Sequence, residues 1–540
     1  MKIVLTGPKG SGKSSVGAEL GRLLGVEVID TDSMIEALYA ESGGERLSFR
    51  EIYRAVGAEA FRQLERQAVA RVAERDWCVV CTGGGTMLHG PSRRLLRPDA
   101  VWVLLSGPAE VLYQRATAAG VPANLDSADP AGDFAAKAET VVEAIEPLAD
   151  FSVDVTAGDA GELAGRIAEE LTAELAARVG NPNTLGQVIR LTTAGESHGR
   201  AYVAILDGVP AGIELSEADI QQELDRRRPG QSAVSTPRNE ADTVQILSGM
   251  FEGRTTGASI GLYIGNRDHD SSRYEPLRRV FRPGHADFTY IKKYGLRDHR
   301  GGGRSSGRET AARVAGGAVA KKILAARGVR IVAFAQQIAG IDAEAARFDY
   351  EQIERNPVRT ADPAVAEAMA SAILSAKEEG DSVGGVVRLE VHGLPAGLGD
   401  PVFAKLDARL GGGFFSLGAV KGVEFGTGFG APKLRGSEHN DALRDGRFVT
   451  NHAGGILGGI STGQAIVAKV AIKPTASISK QQQASDMAGR DIDLVVEGRH
   501  DPCIVPRVIP VLESMAALIL LDAWEIQRRL HPGWEAQARS

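Results

Sequence analysis

Cysteine is scarce in this chain of 540 residues, where it occurs three times, at Cys78, Cys81 and Cys503. A sparse and odd number excludes a disulfide framework and favours a reducing compartment, so we expect a cytoplasmic protein. Cys78 and Cys81 have C-x-x-C spacing, but they lie on a predicted strand, where positions three apart face opposite ways. No second Cys or His pair follows them, so we interpret them as core thiols.

Long hydrophobic runs are also missing. The apolar run at 515–521 falls far short of the ~20 residues that span a bilayer. The apolar residues at the start of the chain, 3–5, are too few for a signal peptide. We therefore expect no membrane partner.

Charge of one sign is not in excess, because 62 Lys and Arg residues face 69 Asp and Glu residues. Aromatic residues make up only 5% of the chain. A nucleic-acid-binding surface usually has an unopposed basic face or interleaved aromatics, so we expect no nucleic-acid partner. Glycine, in contrast, is abundant at 65 residues, well above the ~7% of an average protein. This abundance predicts many turns and close approaches of the backbone to ligands.

The beginning of the chain carries a phosphate-binding signature. Residues 3–6 predict a strand, residues 7–14 read G-x-x-x-x-G-K-S, and a helical pattern continues to Leu24. The glycines let successive N–H groups point at phosphate oxygens, while Lys13 supplies charge and the Ser14 hydroxyl can hold magnesium. The sequence therefore predicts a P-loop.

Acidic and glycine residues follow the next two predicted strands. The strand at 26–29 leads to Asp30 and Asp32, and the strand at 77–80 leads to a triple glycine at 83–85. Open α/β sheets bind ligands at the carboxyl ends of their strands, and a triple glycine admits a small polyol close to the backbone. A predicted helix at 57–74 carries Arg62 between them.

In combination, these motifs resemble shikimate kinase over residues 1–178, which implies a P-loop kinase domain with a parallel sheet and flanking helices. The resemblance implies magnesium near Ser14 and Asp30, and a phosphoryl transfer in which Lys13 and Asp32 take part, Asp32 orienting the attacking hydroxyl. It implies that shikimate is held by Asp32, Arg62 and Gly84. ATP would bind at Gly10, Ser11, Gly12, Lys13, Ser14 and Ser15.

Two positions depart from that family. The lid arginine is replaced by Val121, and an arginine that contacts the substrate carboxylate is replaced by Ile145. Three interpretations follow: an active kinase with a rearranged lid, in which Arg115 compensates; a kinase for another acceptor; or a weakly active nucleotide-binding regulator of the second domain.

A junction separates the two parts of the chain. The helical pattern at 160–179 ends in Gly-Asn-Pro-Asn, so we place a hinge at 179–183 and a second domain at 184–540. Soon after the hinge, Gly-Glu-Ser-His-Gly at 195–199 lies between predicted strands at 188–193 and 202–206. This arrangement places the imidazole of His198 on a tight turn.

A glycine- and arginine-rich segment at 301–309 precedes an alanine-rich helix that continues to Ala326. Ser306 and Glu309 have the spacing of a capping box, so we expect the first N–H groups of the helix, Arg304 and Arg308 to converge on an anion site. Two further candidate proton carriers are His285, which follows Arg-Pro-Gly, and Asp501, which is predicted on a loop before an apolar helix near Pro510.

These segments closely resemble chorismate synthase, from about Asn183 to the C-terminus. The resemblance rests on six segments: 195–199, 282–287, 303–315, 451–460, 473–475 and 499–503. It implies an α+β domain of β-α-β layers, a homotetramer, and conversion of 5-enolpyruvylshikimate 3-phosphate to chorismate by 1,4-elimination of phosphate. Reduced FMN would be required, and NADPH is a further cofactor that we consider.

The resemblance also implies individual roles. His285 would protonate the departing phosphate, His198 would protonate or balance the reduced flavin, and Asp501 would accept the substrate proton. Ser197 and Ser306 would relay protons. Residues implied to bind substrate are Arg227, Arg228, Arg238, Arg282, Arg308 and Arg499. Residues implied to bind FMN are Arg304, Ser305, Ser306, Gly418, Ala419, Gly458, Lys473, Pro474, Thr475, Ala476, Ser477 and Arg499.

One departure concerns the second domain, where Ala233 replaces a family arginine and bears on substrate affinity and on any use of NADPH. The sequence thus predicts a fusion of two enzymes of aromatic biosynthesis. The two reactions are not consecutive, because the enolpyruvyl transfer between them is missing from the two resemblances. Direct transfer of a product between the domains is therefore not inferred.

Overall fold

A computed structural model describes residues 2–75, 77–97, 100–118, 125, 128–156, 158–179, 182–232, 234, 241–266, 272–496 and 500–537. Val121, Ala233, Arg238 and Arg499 lie outside these described residues. Contacts within the chain divide it into two compact units, Met1–Pro182 and Asn183–Ser540. In the described ranges, no helix has both the length and the apolar character needed to cross a membrane.

The first unit is a five-stranded parallel sheet of order β2-β3-β1-β4-β5 with helices on its faces. Its elements are β1 (Lys2–Thr6), α1 (Lys13–Leu24), β2 (Glu27–Asp30), α2 (Thr31–Glu41), α3 (Phe49–Ala73), β3 (Cys78–Cys81), α4 (Gly90–Leu96), β4 (Ala100–Ser106), α5 (Ala109–Thr117), α6 (Pro130–Ile145), β5 (Phe151–Asp154) and α7 (Ala160–Val179).

The sheet of the first unit is buried on both faces. Strands β1 and β3 are buried along their whole length, as expected for a parallel sheet covered by helices. Cys78 and Cys81 are buried free thiols, which confirms their interpretation as core residues. The helix predicted at 57–74 starts earlier, at Phe49 after a capping box of Ser48 and Glu51, and bends at Gly57, where φ is 79°.

The second unit contains two five-stranded antiparallel sheets, β6-β7-β8-β12-β9 and β15-β14-β16-β22-β17. Its elements are β6 (Thr184–Leu185), β7 (Arg190–Ala194), β8 (Ala201–Asp207), α8 (Glu217–Arg227), β9 (Val244–Ile246), β10 (Met250–Phe251), β11 (Arg254–Thr255), β12 (Ile260–Gly265), β13 (Val280–Phe281), α9 (Asp287–Tyr294), α10 (Thr310–Ala326), β14 (Arg330–Ile338), β15 (Ile341–Asp342), α11 (Ala366–Glu378), β16 (Gly385–His392), α12 (Leu406–Phe415), β17 (Val420–Phe425), α13 (Gly436–His439), β18 (Leu443–Arg444), β19 (Arg447–Phe448), β20 (Ile456–Leu457), β21 (Ile460–Ser461), β22 (Ile466–Ile472), β23 (Gln482–Asp486), β24 (Asp491–Leu494), α14 (Val505–Leu530) and α15 (Trp534–Gln537).

Helices α10 and α14 form the middle layer between these sheets. Helix α10 contacts β7, β8 and β12 of one sheet, α14 contacts β14 and β16 of the other, and the two helices pack on each other. A Cβ atom at Gly317 of α10 would lie 2.3 Å from Cβ of Ser514 in α14, so this close packing requires glycine. The unit therefore has β-α-β layers, and α14 begins at Val505 rather than near Pro510.

Candidate active sites

The P-loop of the first unit joins β1 to the N-terminus of α1. Gly7 and Gly10 have φ of 144° and 83°, and a Cβ at either would lie 2.1 to 2.2 Å from a main-chain carbonyl oxygen. The Lys13 ammonium donates hydrogen bonds to the carbonyls of Gly7 and Pro8, each at 2.8 Å. Burial lowers the pKa of Lys13 to about 8. The loop thus presents main-chain N–H groups and one buried cation, which fits a nucleotide phosphate.

Two aspartates lie next to the P-loop, where β2 ends. The Ser14 hydroxyl donates to Oδ2 of Asp30 at 2.6 Å, and Oδ1 of Asp30 accepts from the main-chain N–H of Asp32 at 2.9 Å. A hydroxyl and a carboxylate in contact are the oxygen ligands that magnesium takes in such sites. Burial, together with the charge of Asp30, raises the pKa of Asp32 to about 6.

The triple glycine closes the same edge of the sheet. A Cβ at Gly83 would lie 2.8 Å from Oδ1 of Asp32, and a Cβ at Gly84 would lie 3.4 Å from the main-chain nitrogen of Lys9. The backbone therefore approaches Asp32 closely, as the sequence predicts for a polyol site. Sequence reasoning missed Glu65, a buried carboxylate of α3 that accepts a hydrogen bond from the Thr86 hydroxyl at 2.6 Å.

Three further predicted positions of this unit, Ile145, Arg115 and Arg62, have different environments. Ile145 is fully buried in the core with Trp102, so its side chain faces no ligand. Arg115 donates to the carbonyl of Val155 at 3.2 Å, and Arg62 is exposed. Arg115 is therefore already engaged with the main chain.

A cavity of about 550 Å³ lies in the second unit. Many predicted site residues line it: Arg227, Arg282, His285, Arg304, Ser305, Ser306, Arg308, Gly418, Ala419, Lys473, Pro474, Thr475, Ala476, Ser477 and Asp501. Arg228, Gly458, Ser197 and His198 are not in direct contact with it. Arg228 is partly exposed and lies 3.6 Å from Asp225.

The imidazoles of His198 and His285 pack against two adjacent glycines of one turn, Gly301 and Gly302. A Cβ at Gly301, which lines the cavity, would lie 2.3 Å from Cε1 of His198. A Cβ at Gly302 would lie 3.0 Å from Nε2 of His285. Oγ of Ser197 is 3.1 Å from Nδ1 of His198. The 301–302 turn therefore needs glycine because two imidazoles pack against it.

A buried carboxylate orients His285. Oδ1 of Asp287 lies 3.0 Å from Nδ1 of His285 and also accepts from Arg297 at 2.9 Å. Arg282 donates to both oxygens of Asp287, at 2.8 and 2.9 Å. Burial opposes the charge, but hydrogen bonds from Arg282 and His285 hold the pKa of Asp287 well below its usual value. The contact at Nδ1 leaves Nε2 of His285 on the side of Gly302.

A second buried carboxylate, Asp242, lies between two arginines. Its Oδ2 accepts from Arg227 at 2.7 Å and its Oδ1 accepts from Arg308 at 2.6 Å. Arg227 also donates Nε to the Thr310 hydroxyl and Nη2 to the carbonyl of Gly307, at 3.1 and 2.9 Å. Each guanidinium nitrogen of Arg227 is therefore engaged with the protein, which makes it a residue that shapes the cavity wall.

The capping box predicted at Ser306 and Glu309 is wrong. The Ser306 hydroxyl accepts from the N–H of Arg308 at 3.3 Å, at the start of a short 3-10 turn, and α10 begins only at Thr310. The Glu309 carboxylate instead accepts from Nε of Arg313 at 2.8 Å, one turn further along. A largely buried salt bridge between Glu309 and Arg313 thus replaces the reciprocal cap.

The two predicted cations of this segment also diverge. Arg304 donates to the hydroxyl and the carbonyl of Thr193 on β7, at 2.8 and 3.2 Å, while Arg308 turns to Asp242. Both side chains line the same cavity, but their hydrogen bonds go to different partners.

Asp501 lies on the loop before α14, as predicted, and forms an ion pair with Arg507, which sequence reasoning missed. Arg507 also lines the cavity and donates to the carbonyl of Arg227 at 3.4 Å. Sequence spacing gives only weak signals for the site residues that sequence reasoning missed. Asp287 follows His285 by two positions, and Arg507 follows Asp501 by six. Asp242 has no local signal of its own.

The cavity wall at 473–477 fits a phosphorylated flavin. Lys473 donates to the carbonyl of Gly284 at 2.8 Å, and its pKa is lowered by burial and by the nearby charge of Lys421. The buried hydroxyl of Thr475 has no hydrogen-bond partner within the described part of the protein. A cationic end and an unsatisfied hydroxyl on one cavity wall suit an oxygen-rich group such as the FMN phosphate and ribityl chain.

Comparisons with known proteins agree with both units. Residues 189–524 match the family model of chorismate synthase, and residues 9–176 match that of shikimate kinase. The chorismate synthase of Methanosarcina mazei is 55% identical over 63% of this chain and 95% of its own length, and that of Desulfovibrio desulfuricans is 54% identical over 65% and 99%. A crystal structure of chorismate synthase aligns with a TM-score of 0.51 at 33% identity, over 64% of this chain and 93% of that one.

The folds and the sites define a chain of two enzyme units, one with a nucleotide-binding P-loop and one with an arginine-lined cavity. The chain belongs to the chorismate synthase family, and it carries a shikimate kinase domain before the chorismate synthase domain.

Proposed function

We propose that the second unit converts 5-enolpyruvylshikimate 3-phosphate to chorismate with reduced FMN, and that the first unit phosphorylates shikimate from ATP. The observation that carries the lyase assignment is one cavity lined by His285, Asp501 and several arginines, with His198 behind Gly301. Its positive lining suits a substrate with two carboxylates and one phosphate.

The residues divide the elimination between them. His285, held at Nδ1 by Asp287, donates a proton to the leaving phosphate from Nε2. Asp501 accepts the substrate proton. Reduced flavin, when bound, supplies electron density to the breaking C–O bond. Arg282 and Arg308 offset the charge of the substrate, while Arg304, Lys473 and Thr475 hold the flavin.

In the kinase unit, Lys13 and the P-loop N–H groups bind the β- and γ-phosphates, and Ser14 with Asp30 holds magnesium. Asp32, when its carboxyl group is deprotonated, orients the acceptor hydroxyl. The buried Ile145 favours a second candidate, in which this unit accepts another polyol or binds nucleotide with little turnover and regulates the lyase.

We further propose that the lyase unit forms a homotetramer in the cytoplasm, since chorismate synthases are typically four-subunit proteins. Phe403 and Phe429 are 97% and 82% exposed, which is unusual for phenylalanine and suits a contact with a second copy. Sedimentation of wild type and Phe403→Asp tests this. Wild type should sediment as a tetramer and the variant as a smaller species, whereas a monomeric wild type would refute the proposal.

Anaerobic incubation with chemically reduced FMN and 5-enolpyruvylshikimate 3-phosphate tests the lyase. Chorismate absorbance should rise with stoichiometric release of phosphate, and no product would refute the assignment. Omitting chemical reduction and adding NADPH tests whether the protein reduces its own flavin. ATP consumption with shikimate and with a panel of other polyols tests the kinase. Nucleotide that binds without turnover, yet changes the lyase rate, would support the regulatory alternative.

A further inference from the structure

The acceptor edge of the kinase unit is acidic, which poses a problem for an anionic acceptor. Three carboxylates, Asp30, Asp32 and Glu65, influence one another there. Lys13 is committed to the carbonyls of its own loop. A carboxylate-bearing polyol placed beside Asp32 would therefore be repelled unless other cations face it.

Lys9 is such a cation. It is the third residue of the P-loop, and its main-chain nitrogen and Cβ lie 3.4 and 3.7 Å from the position that a Cβ at Gly84 would take. Its side chain is partly buried, yet within the described part of the chain the ammonium group forms no hydrogen bond and no ion pair. A partly buried lysine without a partner is costly, so this ammonium is available to an incoming anion.

Arg50 adds a second positive charge that acts on Lys9. Arg50 is exposed at the start of α3, and the two charges repel, because the pKa of Lys9 is lowered by burial and by Arg50 while Asp32 raises it. In the described structure, Arg50 also forms no ion pair; its guanidinium lies 5.7 Å from the centre of the Phe49 ring. Lys9 and Arg50 belong to different elements, and an anion bound at Lys9 would offset the repulsion between their two charges.

We propose that Lys9, assisted by Arg50, binds the anionic group of the acceptor, so that this unit selects small polyols that carry a carboxylate. The inference rests on the proposed kinase function and adds a specificity-determining residue to it. In the shikimate kinase family an arginine at the position of Ile145 contacts the substrate carboxylate. Ile145 is fully buried and uncharged, so Lys9 would make this contact instead.

Calorimetric binding of shikimate and of its uncharged methyl ester tests this, because binding needs no turnover. The wild type should prefer the acid about 10-fold to 100-fold, the value of one or two charge-assisted hydrogen bonds. Lys9→Met should abolish most of this preference, Arg50→Met should reduce it by a smaller factor, and Lys9→Arg should retain it. Affinity for ATP should be unchanged in all three variants.

Lys137→Met is the matched control, because Lys137 is an exposed lysine of α6 that pairs with Asp133 on its own helix. Thermal unfolding shows whether each variant is folded. An unchanged preference for the acid in folded Lys9→Met, or a loss of ATP affinity instead, overturns the inference and leaves the kinase function intact. A wild type that binds neither compound overturns the shikimate assignment itself, and with it the inference.

Discussion

The two sites of this chain hold their cations differently. In the lyase unit, Arg227 and Arg308 share Asp242, and Arg282 is bound to Asp287, all by buried hydrogen-bonded pairs. In the kinase unit, Lys13 contacts main-chain carbonyls, and Lys9 has no carboxylate partner at hydrogen-bond distance in the described chain. The lyase cations are fixed by buried carboxylates, whereas neither of these two kinase lysines has a carboxylate at hydrogen-bond distance in the described chain.

This difference follows from what each site must bind. A cavity that takes a phosphorylated diacid needs many positive charges, and buried arginines without counter-charges would destabilise the fold. Buried carboxylates solve this problem and also fix the orientation of the guanidinium groups. A P-loop receives a nucleotide that brings its own magnesium and charge, so its lysines need fewer fixed partners. We expect the lyase site to be preorganised and the kinase site to be arranged by its ligands.

The largest effect should come from His285→Ala, which removes the proposed acid while leaving the paired arginines in place. We expect chorismate formation to fall about 10²-fold to 10⁴-fold, the usual contribution of a general acid. The anaerobic assay with chemically reduced FMN measures it. His531→Ala, at an exposed histidine after α14, is the control. Equal rates in wild type and His285→Ala would remove the acid assignment.

A smaller loss is expected from Asp242→Asn, which keeps the shape of the side chain but removes its charge from between Arg227 and Arg308. Misplacing these guanidiniums should lower kcat/KM of the lyase about 10-fold to 100-fold, mostly through KM. Steady-state kinetics with the folded variant test this, and Asp225→Asn, at an exposed aspartate of α8, is the control. A KM equal to that of the wild type would mean that the charge of Asp242 between Arg227 and Arg308 is not required for substrate binding.

The kinase site should respond to pH instead. Because burial and Asp30 raise the pKa of Asp32 to about 6, the active carboxylate form is lost as the pH falls through that value. We expect kcat/KM for the acceptor to fall about tenfold per pH unit below pH 6. A pH profile from 4.5 to about 8 measures it, with Asp32→Asn as the comparison. A flat profile in wild type would contradict the role of Asp32.

The smallest effect concerns the flavin. Thr475→Val removes the buried hydroxyl that lacks a partner, so FMN should bind about 3-fold to 10-fold more weakly, the value of one neutral hydrogen bond. Fluorescence titration with oxidised FMN gives the affinity, and Thr256→Val, at an exposed threonine, is the control. Equal affinity in wild type and Thr475→Val would place the flavin elsewhere in the cavity.

Much of this architecture could be predicted from the sequence where the pattern is local. The P-loop follows from residues 7–14. The predicted strand 3–6 lacks one residue of β1, and the predicted strands 26–29 and 77–80 are each shifted by one residue from β2 and β3. His285 and Asp501 were predicted as candidates because each follows a short motif, and the structure brings both to one cavity. Local spacing is sufficient when the loop that carries a residue also positions it.

The missed features depend on contacts distant in the chain. Asp242 meets Arg308 across 66 positions, so no sequence spacing indicates the pair. The capping box at Ser306 and Glu309 failed because a tertiary partner, Thr193 on β7, and the next helical turn attract the Glu309 carboxylate. Tertiary hydrogen bonds thus replaced a motif that has the right residues at the right spacing.

A crystal structure of the chain with FMN and 5-enolpyruvylshikimate 3-phosphate tests the preorganised lyase site most directly. We expect the pairs of Asp242 with Arg227 and Arg308, and of Asp287 with Arg282, to be retained, with Nε2 of His285 about 3 Å from the phosphate-bearing oxygen of the substrate. Substrate bound outside this cavity, or bound in it with these pairs broken, would contradict the account.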